Sequence, residues 1–114
     1  MPKVDARAVF AARLKAARQA AGLTQEALGI RAGIPADVAR TRVNRYERGV
    51  HDSDSATAQN LADCLGVPLA SLYADDEVMA EAIRAFASLP PAEQRAAVED
   101  LRARAANFSE RPRT

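Results

Sequence analysis

The sequence holds one cysteine and one histidine, no tryptophan, only five phenylalanines and tyrosines together, and no long apolar run. Cys64 alone cannot form an internal disulfide, so the fold has to stand on its core and a reducing cytoplasm is the expected setting. At its place in a helical pattern Cys64 reads as a packed thiol rather than a redox sensor. No stretch approaches the roughly 20 apolar residues that span a bilayer, so no membrane partner is expected. The opening Met1-Pro2-Lys3-Val4-Asp5 lacks the apolar region of a signal peptide. His51 is the single histidine, which excludes a histidine-rich metal site and a histidine relay. Asp75-Asp76-Glu77 reads as the acidic start of a helix, where the dipole favours negative charge, rather than as a metal site. There is no glycine-rich phosphate loop and no Ser/His/Asp or Cys/His set. Hence no enzyme, no catalytic residue, no metal and no cofactor are expected.

What the chain does have is alanine, leucine and charge. Its 114 residues leave room for one modest domain and an appendage. Ala and Leu lose little freedom in a helix and β-branched residues are sparse, so the expected fold class is all-α. The net charge is only +1, but it is unevenly spread. Residues 1–74 carry ten Lys/Arg against seven Asp/Glu, and residues 75–114 carry six against eight. Arg40, Arg42, Arg45 and Arg48 fall within nine residues, opposed there only by Glu47. Such a run is equally at home on a solvated helix face, and its context decides.

Helical spacing and caps divide the chain into short helices. Val9, Phe10, Leu14 and Ala17 predict a first helix over Asp5 to Ala21, stopped by Gly22. Thr24 predicts the N-cap of a second, with Ala27, Leu28 and Ile30 as its packed face and Ala32-Gly33 as the turn after it. A third is expected from Pro35 to Glu47, with Ala36, Ala39, Val43 and Tyr46 inward and Gly49 at its end. Asp54 predicts the cap of a fourth, carrying Ala58, Leu61, Ala62 and Leu65 to the Gly66 stop, and Pro68 to Leu72 makes a short fifth. A sixth helix is expected to Leu89, with Val78, Met79, Ala82, Ile83 and Phe86 on one side. Pro90-Pro91 then breaks the chain before a seventh with Ala97, Val98, Leu101 and Ala105 as its stripe. The resulting organisation is five compact helices over residues 5–73, a helical hairpin over 77–107 and a disordered tail over 109–114.

Five segments, read in order, carry more than composition does: Arg18; Gly22-Leu23-Thr24-Gln25-Glu26-Ala27-Leu28; Ala32-Gly33-Ile34; Val43-Asn44-Arg45-Tyr46-Glu47-Arg48-Gly49; and Leu61-Ala62-Asp63-Cys64-Leu65-Gly66-Val67-Pro68. In this order they resemble the helix-turn-helix domain of the phage-repressor and Cro type, the xenobiotic-response-element type found in many bacterial regulators. The resemblance implies a cytoplasmic, bacterial or phage-encoded transcriptional regulator, a repressor above all, that binds double-stranded DNA. It also implies a homodimer on a palindromic operator, because one recognition helix covers only a short half-site. The 77–107 hairpin is the expected dimer element. Two rivals share these helices: an antitoxin whose hairpin holds a toxin, and a protein–protein adaptor that does not touch DNA.

The resemblance also distributes roles. Gln25, at the N-terminus of the second helix, is expected on a phosphate. Arg40, Thr41 and Arg45 are expected on base edges, where arginine can bond guanine O6 and N7 together. Arg42 and Arg48 are expected nearer the phosphates, whereas His51 in the following loop reads as a solvated residue. Arg18 and Glu47 are expected to form a structural ion pair that clamps the first helix to the third. Relatives usually have about four fewer residues before the third helix, and Pro35-Ala36-Asp37-Val38 is the surplus here. It either lengthens that helix at its start or enlarges the turn. Asp37 would accordingly face a phosphate or a cytosine N4, and both readings stay open.

Overall fold

The computed structural model describes residues 5–110; the final four residues of the expected disordered tail lie outside them. The described residues are all-helical, as composition predicts. The elements are α1 (Ala6–Ala20), α2 (Gln25–Arg31), α3 (Ala36–Glu47), α4 (Ser55–Leu65), a 3₁₀ turn (Leu69–Tyr73), α5 (Glu77–Ala87) and α6 (Pro91–Glu110). The chain divides into two compact units between Arg84 and Ala85. No helix among the described residues is long and apolar enough to cross a membrane.

Short polar side chains start three of the first four helices. Asp5 accepts from the Arg7 and Ala8 amides, Thr24 from Ala27, and Asp54 from Thr57. Each satisfies donors that the helix itself leaves unpaired. Pro35 departs from its expected place: with φ −54° and ψ 139° it is the extended residue before α3, and Ala36 is the first helical one. The turn between α2 and α3 is therefore short. Of Pro35-Ala36-Asp37-Val38, Pro35 lies in that turn and Ala36, Asp37 and Val38 form the first turn of α3.

The first unit closes around Phe10, Leu14, Leu28, Val43, Leu61 and Leu72, all buried. Each such side chain contributes about 1.5–3 kcal/mol by leaving water. Four residues of the expected apolar faces are not in this core. Ile30 is exposed, as is Ala36, and on α5 the buried residue is Ala80 rather than Val78 or Met79. The start of α5 also belongs here, since Glu77 bonds Arg13 at 2.8 Å and Arg84 at 2.9 Å. In the second unit α6 begins at Pro91 and stays helical through Glu110, past the expected start of the tail at 109. Gln94 Nε2 donates to the Phe86 carbonyl at 3.0 Å across the Pro90 break.

Three carboxylates make folding sensitive to acid. The Arg7 guanidinium holds Asp52 below its ordinary 3.8, the Thr57 amide does the same for Asp54, and Arg13 with Arg84 holds Glu77 below 4.5. A carboxylate whose folded pKa is depressed stabilises fully above its unfolded pKa and loses that contribution as pH falls through the folded one. Melting temperatures are thus expected to fall as the pH drops below the ordinary carboxylate values of 4.5 and 3.8. Asp54→Asn keeps an acceptor for the Thr57 amide but cannot titrate. Its melting temperature is expected to depend less on pH than the parent's; an unchanged slope would remove Asp54 from this account.

Candidate nucleic-acid interface

The α2–α3 pair is built for close approach. Gly33 adopts φ +91° in the turn, a conformation that suits glycine because it has no Cβ. The Gly33 amide bonds the Ile30 carbonyl at 3.0 Å and the Ile34 amide bonds the Gly29 carbonyl at 2.9 Å. These paired bonds end α2 in the manner of a Schellman motif and redirect the chain sharply. Beside the turn, Gly29 of α2 lies against Ala39 of α3. A Cβ placed on Gly29 would stand 2.8 Å from the Ala39 Cβ and 3.1 Å from its carbonyl oxygen.

One acid holds this pair to α1. Glu47, with a side chain 2% exposed, accepts from Arg18 Nε at 2.6 Å and Nη2 at 2.9 Å. Arg18 Nη1 donates to the Leu23 carbonyl at 2.9 Å, so its three nitrogens are all engaged. Arg18 is consequently held still more firmly protonated than an ordinary arginine, chiefly by its hydrogen bonds to Glu47. Gln25 Nε2 joins the cluster, donating to Glu47 Oε1 at 3.2 Å. The sequence-predicted pair is therefore brought together, and Gln25, expected on a phosphate, points its amide at the acid.

The arginines of α3 are unlike those of α1. Arg7, Arg13 and Arg18 each have a carboxylate partner. Arg40, Arg42, Arg45 and Arg48 are exposed, and their side chains form no ion pair or hydrogen bond among the described residues. Thr41, Arg45 and Arg48, spaced by four and three, share one outward stripe of the helix. Uncompensated cations on the exposed face of a helix suit a polyanion. Arg40 and Arg45 do not share a face: a five-residue step turns the helix by about 140° in projection.

Residues 9–72 match the helix-turn-helix domain family. The chain belongs to that family. In helix-turn-helix terms α2 is the bracing helix and α3 the recognition helix. Among solved structures, the transcriptional regulator BswR is similar, with 36% sequence identity and a TM-score of 0.73 over 82% of this chain and 92% of that one. No curated protein matches the chain in sequence.

Two residues of the helix-turn-helix escaped the sequence reading. Gly29 carries no local signal in the sequence, and nothing near it discloses its partner Ala39. Lys15 was legible in principle, since it lies three residues before Arg18 and therefore on the same stripe of α1.

Proposed function

We propose that this protein is a DNA-binding transcriptional regulator of the phage-repressor and Cro type, acting as a dimeric repressor on a palindromic operator. The observation that carries this reading is the outward row of unpaired Thr41, Arg45 and Arg48 on a recognition helix whose back is clamped by Glu47. In this reading Arg45 and Thr41 meet base edges, while Arg42 on one flank and Arg48 at the helix end meet phosphates. Gln25 reaches a phosphate by exchanging its bond to Glu47 for one to the DNA backbone. Likeness to a transcriptional regulator supports the assignment.

Losing a base-reading arginine costs about 1–3 kcal/mol and relaxes preference at one base pair. Losing a phosphate arginine weakens all sequences alike and lowers the salt slope by about one per contact. Arg45→Ala is therefore expected to narrow the gap between selected and random duplexes in anisotropy titrations. Arg42→Ala should preserve that gap and flatten the salt dependence. If Arg45→Ala leaves discrimination untouched, the register assigned to α3 is wrong.

Dimerisation is supported by the second unit, where Val98 (39% exposed) and Leu101 (60% exposed) stand three residues apart on α6. Contiguous exposed apolar surface is where partners bind. Leu101→Glu should keep its helicity and sediment as a monomer. A parent protein that is itself monomeric at high micromolar concentration would remove the dimer from this reading.

A further inference from the structure

Arg40 stands seven residues before Glu47 on α3, almost two full turns, so the two side chains lie on one stripe. That stripe faces the cluster of Arg18 and Gln25 rather than the outward row of Thr41, Arg45 and Arg48. The structure opens a cleft of about 660 Å³ at this place, lined by Lys15, Arg18, Thr24, Gln25, Glu26 and Arg40. Three elements contribute: the second half of α1, the start of α2 and the first half of α3.

The charges around the cleft do not cancel. Arg18 is engaged with Glu47 and the Leu23 carbonyl. Lys15 and Arg40 are exposed and have no carboxylate partner among the described residues, and Glu26 is the one acid among the residues that line the cleft. Two cations without a carboxylate partner, one from α1 and one from α3, line this concave site together with Gln25, a set that matches a tetrahedral oxyanion.

We propose that Lys15 and Arg40 together hold one backbone phosphate of duplex DNA in this cleft, so that Arg40 is a phosphate contact and not a base reader. The proposal rests on the DNA-binding reading above and adds Lys15, from α1, to the interface. The longer recognition helix makes it understandable: Arg40 lies in its second turn, on the flank beside α1, while the base-reading stripe passes through Thr41 and Arg45.

The test compares full-length parent, Lys15→Ala, Arg40→Ala and Arg31→Ala on two duplexes of equal length. One is selected from random sequence by the parent protein, the other is unselected. Arg31 is an exposed cation at the opposite end of α2 and controls for general loss of charge. Lys15→Ala and Arg40→Ala are each expected to weaken both duplexes by the same factor and to lower the salt slope by about one per subunit. Arg31→Ala is expected to leave the slope in place. An Arg40→Ala protein that loses discrimination at unchanged slope would return Arg40 to the bases. An unchanged slope in Lys15→Ala, or an equal fall in Arg31→Ala, would overturn the cleft while leaving DNA binding intact. A parent that binds neither duplex would overturn the functional reading itself. Circular dichroism of these surface variants confirms that each is folded before it is titrated.

Discussion

Removing either partner of the Arg18–Glu47 pair is expected to cost about 3–5 kcal/mol of folding stability, the range for stranding one charge of a buried pair. For a domain of this size each kcal/mol moves Tm by about 4–8 °C, so the loss is easily read in a melt. Arg18→Ala should be the worse of the two. It leaves Glu47, 2% exposed, with only the Gln25 amide, whereas Glu47→Ala leaves Arg18, 13% exposed, with the Leu23 carbonyl and a path to water. The double variant should lose less than the two singles combined, because the second truncation removes a charge already stranded. Strict additivity would mean that the two groups do not act as a pair.

Gly29→Ala is expected to be destabilising by about 1–3 kcal/mol, against what helix propensity alone dictates. Within a helix alanine is favoured over glycine by about 1 kcal/mol. At this position the new methyl would stand 2.8 Å from the Ala39 Cβ and 3.2 Å from its Cα, close to backbone that cannot swing aside. The helices must separate by a few tenths of an ångström or more, and α3 moves relative to the clamp. DNA affinity should consequently fall more than the melt implies, since the recognition helix is displaced even in the folded fraction. A variant that melts higher than the parent would show that the α2–α3 contact is slack.

Most of the first unit was legible because its helices are bounded by local chemistry. Asp5, Thr24 and Asp54 accept the amides that a starting helix leaves open, and such caps need only three or four neighbouring residues. The Arg18–Glu47 pair was legible by resemblance, and the buried geometry is what makes Glu47 compatible with a cationic surface. Where the reading departs from the structure, the missing information is tertiary. Ile30 and Ala36 have suitable spacing but stay exposed, whereas Ala80 is buried. Pro35 is equally at home at the first helical position or just before it, and only the backbone angles distinguish the two. Arg40 was grouped with Arg45 by alignment to an expected order, although helical periodicity alone separates their faces.

The outward stripe of α3 has a consequence for how such a protein can change. Thr41, Arg45 and Arg48 are exposed and their side chains bond to nothing else among the described residues, while Ala39, Val43 and Glu47 on the reverse face are buried. Substitutions at exposed positions free of such duties usually alter stability by no more than about 0.5 kcal/mol. If this stripe meets DNA as proposed, the address is thus written separately from the scaffold that carries it. On the proposed reading, drift at Thr41 and Arg45 would redirect the protein to a new sequence at little cost in folding, and a laboratory exchange of the same two side chains should do so too.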